Sequence, residues 1–211
     1  MRLGRNSNAE YQAIGAVLPW GLCVVLAVAS VSSLAQTRDD YCGRTSPPGV
    51  EAAPVATRKG HYVNGTYGYS LTIPAGLTAY SDGRAPERGF VIVLAQTPRA
   101  TLRVDASYDV FYDITAEGVH RRDINTIRLH DTLISDQNTA GALDHAAGAR
   151  SILQLQCRGD SAAAVHEEVI VLRNREIYRV DLQSSPQRYA ADLVQFNALL
   201  SSWRWQAPPP H

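Results

Sequence analysis

An α+β fold, a single domain built on a mostly antiparallel β-sheet flanked by helices, is what this sequence predicts. Three observations carry the prediction. Apolar and polar residues alternate in Tyr69–Ile73, Thr101–Ser107 and Ser151–Cys157, the pattern of strands with one buried face. Val165–Leu172 and Ile177–Leu182 flank Asn174, which suits the positive-φ position of a tight turn, so the two runs read as a hairpin. A closing helix follows from Ser185-Pro186, where Tyr189, Leu193, Phe196, Leu200 and Trp203 recur at helical spacing as one apolar stripe. Its natural place is over one face of the preceding sheet.

The chain begins with an export signal. Arg2 and Arg5 precede an apolar stretch from Ala13 to Val31, and Ser33-Leu34-Ala35 supplies small side chains where a signal peptidase cuts. Residues 1–35 are therefore expected to be a cleavable signal peptide. Retention as a membrane anchor is the alternative, but Pro19 and the serines at 30, 32 and 33 leave the run short of about 20 clean apolar residues. Neither Cys23, preceded by Leu22, nor Cys42, preceded by Asp39-Asp40-Tyr41, fits a lipid-attachment site. Loss of Arg2, Arg5 and Glu10 with the leader leaves 18 basic and 19 acidic residues and a net charge of −1. That balance offers no electrostatic footprint for nucleic acid or an anionic membrane.

Residues 36–59 are rich in Pro, Thr, Ser, Gly, Ala and charge, and read as a flexible N-terminal arm. Residues 60–206 are the folded domain, and 207–211 are a Pro-rich tail. Within the domain, Asn64-Gly65-Thr66-Tyr67-Gly68 has turn chemistry, and Pro74 stops the first strand. Ala75 to Gly89 is turn-rich. Phe90 to Ala95 is a continuous apolar run that joins its neighbour strand through Thr97-Pro98-Arg99. Thr115 before Ala116-Glu117 suits the start of a short helix reaching about Ile124, with a surface loop as the alternative.

Two cysteines remain in the exported chain, Cys42 and Cys157, in a compartment that permits oxidation. A bridge between them would close a long loop and stabilise the fold by about 4–5 kcal/mol in the chain-entropy picture. Two unpaired thiols are the alternative.

Tyr67-Gly68-Tyr69-Ser70-Leu71-Thr72-Ile73-Pro74-Ala75-Gly76, the hairpin from Glu168 to Leu182, and Asp192 to Trp205 together resemble the PsbP-like fold family. They match its opening strand, its late hairpin, and its closing helix with a short final strand. The resemblance implies an α/β/α sandwich with no catalytic residues to carry over, because members act by binding other macromolecules. The photosystem members sit with a chloroplast complex, whereas this leader does not resemble a plastid transit peptide. The secretion-system chaperones of the family are cytoplasmic, from which an exported chain departs.

No motif fixes a reaction. The six histidines, His61, His120, His130, His145, His166 and His211, are not spaced as a zinc helix, and neither mature cysteine has a close partner. His166 and Glu168 fall on one face of a strand with Glu167 on the other. With Asp105 they make an alternative site for an exported hydrolase or metal-dependent enzyme, against the plainer expectation of a solvated strand face. Gly159-Asp160-Ser161-Ala162 resembles an esterase nucleophile block but lies at a turn between antiparallel strands, where the strand-to-helix elbow is lacking. Asp105, Asp109 and Asp113 would share a strand face, with Arg99, Arg103, Arg121 and Arg122 near enough in sequence to neutralise them. Asn64-Gly65-Thr66 matches a glycosylation acceptor and also serves as a turn. The aromatic residues, from Tyr67 and Tyr69 through Tyr108, Phe111 and Tyr112 to Trp203 and Trp205, divide between core and a possible binding patch.

The reading that follows is an exported, non-enzymatic binding or accessory protein, periplasmic or secreted. It needs no cofactor, its partner is another protein, and it keeps no stable membrane insertion after cleavage. A structural cell-envelope protein is a further alternative.

Overall fold

A computed structural model describes residues 56–81, 86–112, 115–157 and 163–206. Residues 1–35, expected to be a signal peptide, Cys42, Asp113, the Gly159-Asp160-Ser161-Ala162 segment and the tail with His211 lie outside the described residues. In chain order the elements are β1 (Ala56–Arg58), β2 (His61–Asn64), β3 (Tyr69–Thr72), β4 (Ala79–Ser81), β5 (Gly89–Gln96), β6 (Arg99–Tyr108), α1 (Ala116–His130), β7 (Thr132–Leu143), β8 (Ala146–Gln156), β9 (Ala163–Arg173), β10 (Glu176–Ser184), α2 (Tyr189–Ser201) and β11 (Arg204–Trp205).

Two-residue turns organise the larger sheet. Asn174 and Arg175, at φ 52° and 65°, close β9 onto β10. Asp144 and His145, at 42° and 70°, close β7 onto β8. Positive φ at both central residues gives the twist that matches paired strands. The resulting eight-stranded sheet is antiparallel, in the order β1-β4-β5-β6-β10-β9-β8-β7. A second sheet, β11-β3-β2, has three strands. Residues 56–58, assigned above to the flexible arm, form edge strand β1 against β4.

Period-two alternation sends one face of the large sheet to each of two cores. Phe90, Ile92, Leu102, Val104, Val169, Val171, Tyr178, Val180 and Leu182 pack with the small sheet, Phe196 and Leu199 of α2, and Trp203. Ala149, Leu153, Leu155 and Ile170 face the opposite way and pack under α1 through Val119, Ile124 and Ile127. The layers are thus α1, the large sheet, and the small sheet with α2.

The helices differ in extent from the sequence expectation. Thr115 does cap α1, accepting a hydrogen bond from the Gly118 amide at 3.0 Å. The helix then continues to His130 because Ile124 and Ile127 bury against Leu153, Leu155 and Leu133. Arg128 and His130 in its last turn complement the helix dipole. Helix α2 begins at Tyr189, after a turn in which the Ser185 carbonyl accepts from the Arg188 and Tyr189 amides. Trp203 lies beyond its end, yet is fully buried and stacks on Tyr69 at 4.3 Å between ring centroids.

Candidate functional site

A polar layer crosses the sheet beneath α1. Strand register places Ser151 of β8, Glu168 of β9, Asp181 of β10 and Arg103 of β6 in one transverse row. His166 sits one row away on the same face of β9, and Arg179 one row away on β10. Helix α1 lowers His120 and Asp123 onto this face, and β7 contributes Asp136. His166, Glu167 and Glu168 are all buried, so the solvated strand face expected for them is incorrect. The reason is that α1 covers His166 and Glu168 on one face, while α2 covers Glu167 on the other, over a stretch whose charges read as exposed in sequence.

Glu168 is the hub. Its Oε1 accepts from His120 Nδ1 at 2.8 Å and from the Ser151 hydroxyl at 3.1 Å. Its Oε2 faces His166 Nε2 at 3.7 Å and Arg179 Nε at 3.6 Å. His120 Nε2 reaches both Asp136 oxygens at 3.2 and 3.3 Å. Arg179 is tied to Asp123 by an ion pair. Burial alone would push Glu168 up, but the hydrogen bond from His120 and the closeness of His166 and of the charged Arg179 outweigh it and hold the carboxyl well below its usual range. Burial likewise works against charge on His120 and His166. Glu168 with Asp136, and Glu168 with Asp181, overcome it and raise both imidazoles. Asp181 goes the other way, pushed up by burial beyond what His166 and Arg179 offset.

This constellation does not assemble a nucleophile. Ser151, His120 and Asp136 are connected like a serine triad, with Ser151 Oγ 3.2 Å from His120 Nδ1. Both ring nitrogens of His120 face carboxylates, so both donate and neither can take the serine proton. Ser151 is also 1% exposed, which denies it an acyl substrate.

The residues singled out in sequence are distributed as follows. His166 and Glu168 do come together. Asp105 lies on β6, with β10 between it and β9, and pairs with Arg88 at 2.8 Å and Arg103 at 3.9 Å. The carboxylate that joins His166 and Glu168 is Asp181, whose Oδ1 is 3.7 Å from His166 Nε2. Glu167 points to the opposite face, where Arg150 donates to it at 2.6 Å and Tyr189 also donates, fastening α2 to the sheet. Asn64 is buried in β2 and donates to the Glu87 carbonyl at 2.7 Å, which leaves its amide unsuited to carry a glycan. Cys157 is buried just past β8, while Cys42 lies outside the described residues.

No family model matches the chain, and no curated protein matches it. Solved structures do. The mycobacterial LpqN of Mycobacterium tuberculosis, described as involved in cell envelope biogenesis, is similar at a TM-score of 0.50 and 12% identity, covering 72% of this chain and 92% of that one. The opening strand, late hairpin, closing helix and short final strand all stand where the sequence resemblance requires. The fold is PsbP-like. The solution structure of cyanobacterial PsbP from Synechocystis sp. PCC 6803 is similar at a TM-score of 0.47 and 19% identity, covering 76% of this chain and 98% of that one. A protein of unknown function from Pseudomonas aeruginosa, PA94, is similar at 0.38 and 14%, covering 67% and 92%.

Among the described residues the most exposed aromatic surface on this frame is the end of β6 and the segment after it. Tyr108, Val110, Phe111 and Tyr112 are between 62% and 71% exposed. Asp109 shapes the segment from within, since its buried carboxylate accepts from the Phe111 amide at 3.1 Å and its own amide donates to the Arg175 carbonyl. The guanidinium groups of Arg122 and Arg175 stand 4.4 and 4.6 Å over the Phe111 and Tyr112 rings. Among the described residues no helix is long and apolar enough to cross a membrane.

Proposed function

We propose that this chain is an exported, non-enzymatic accessory protein of the cell envelope that works by binding another protein. The observation that carries the reading is a separation of roles. The titratable His120, His166, Glu168 and Asp181 are buried between α1 and the sheet, whereas Tyr108, Val110, Phe111 and Tyr112 stand out in solvent at the end of β6 and on the loop braced by Asp109. Closely spaced exposed aromatic and apolar side chains beside arginine have the composition of protein-binding hot spots. The signal peptide over residues 1–35 supports export, and the PsbP-like fold supports a binding role rather than catalysis. In an oxidising compartment, Cys42 pairs with Cys157 and fixes the arm to the end of β8.

The test is capture from the native envelope with wild-type protein and with a Phe111→Ser/Tyr112→Ser variant. The reading predicts a discrete partner retained by wild type and lost by the variant. Hydrolase turnover by the purified protein that vanishes on a single substitution of His120 or His166 contradicts it.

A further inference from the structure

We infer that His166, Glu168 and Asp181 form a buried binding site for one divalent cation of the zinc class, which ties β9 to β10 beneath α1. The inference is independent of the binding role proposed above. Their ligand atoms, one from each residue, all lie within 4.8 Å of one another, and none of the three residues is more than 7% exposed.

The distances favour a shared cation over direct hydrogen bonds. His166 Nε2 is 3.7 Å from Glu168 Oε2 and 3.7 Å from Asp181 Oδ1, beyond the roughly 2.7–3.2 Å of a hydrogen bond. Two ligands on one tetrahedral zinc, with bonds of about 2.1 Å, stand roughly 3.4 Å apart. Asp181 supplies the second, independent observation: its Oδ1 is buried, is aimed at His166, and has no hydrogen-bond partner among the described residues. A bound cation would satisfy that oxygen.

The surroundings match a supporting shell. The other oxygen of Glu168 is held by His120 and Ser151, and His120 is held in turn by Asp136, so Glu168 presents Oε2 in a fixed direction. Arg179 opposes a cation, with Nε 3.6 Å from Glu168 Oε2, but its guanidinium is drawn toward Asp123. One imidazole and two carboxylates suit zinc better than calcium, which takes six or more oxygens. Burial of all three residues makes such a site structural, so ion binding adds to folding stability.

Zinc is added to chelator-treated full-length protein and followed by calorimetry, thermal unfolding and X-ray absorption of the loaded protein. The inference predicts one equivalent per chain and a rise of about 5–10 °C in unfolding midpoint at saturating zinc. It also predicts a first shell of nitrogen and oxygen with one imidazole. Asp181→Asn, shown by circular dichroism to be folded, loses the equivalent, while Asp105→Asn keeps it. If Asp181→Asn does not fold, the absorption spectrum of the wild type decides. No uptake, a shell with two or more imidazoles, or equal uptake by folded Asp181→Asn overturns the inference.

Discussion

Replacing Glu168 by Gln removes one negative charge from the buried layer and leaves its shape nearly unchanged. The carboxylate is 2% exposed and accepts two hydrogen bonds on Oε1, one from an imidazolium, with Arg179 beside Oε2. Removing one partner of a buried ion pair costs about 3–5 kcal/mol because the remaining charge stays desolvated. The Gln carbonyl can still accept from His120, so the expected loss is near the lower end, about 3 kcal/mol. That is a large share of the roughly 5–15 kcal/mol that holds a domain folded. The assay is urea unfolding at pH 7 in the presence of chelator, monitored by circular dichroism, with midpoint and slope compared. The double variant His120→Gln/Glu168→Gln should lose at least about 1 kcal/mol less than the two single losses combined, since the partners are then removed together. A Glu168→Gln loss below about 1 kcal/mol at unchanged slope would refute the buried network.

Other predictions test the packing and the chemistry of the chain. A Cβ at Gly148 would sit 2.0 Å from the Ile170 carbonyl oxygen, so Gly148→Ala should force β8 from β9 and lower stability by about 1–3 kcal/mol, read by the same denaturation. Trp203→Ala empties the centre of the aromatic cluster formed with Tyr69, Tyr178 and Trp205, with an expected cost of about 3–5 kcal/mol and loss of near-ultraviolet dichroism. Burial and the charge of Glu87 push Tyr62 up to about 12 from 10.0. The folded state therefore holds this phenol neutral while the unfolded chain ionises, so stability is retained below pH 10 and falls as pH rises toward 12, with phenolate absorbance appearing late. Thiol alkylation of the unfolded exported protein should change its mass only after reduction if Cys42 and Cys157 are bridged.

What the sequence reveals depends on how strongly burial marks each element. The hairpin was legible because Asn174 sits between two strand-like runs rich in β-branched and aromatic residues, and β3 because Tyr69, Leu71 and Ile73 bury one face before Pro74. Strand β7 was not, because Thr132–Leu143 is an edge strand exposed along most of its length and shows little alternation. Strands β1, β2 and β4 are too short for a period to register. Of the polar layer, the shared face of His166 and Glu168 follows from strand period alone. Asp181 was also within reach: it stands as many residues after the two-residue turn at Asn174-Arg175 as Glu168 stands before it, which fixes their pairing. Asp105 drew attention through its spacing with Asp109, a local pattern blind to the strand order that puts β10 between β6 and β9. The covering by α1 was hidden because His120 reads as polar surface, whereas its charge is satisfied by carboxylates from two strands of the sheet.

The central claim, that this protein acts through its exposed aromatic segment and not through its buried charges, is tested most directly by photo-crosslinking in the native envelope. A photoreactive side chain is placed at Phe111, with a control at Val194, which is 63% exposed on α2. The account predicts one discrete protein adduct from position 111 and none from position 194. An adduct from position 194 with none from 111 would contradict it.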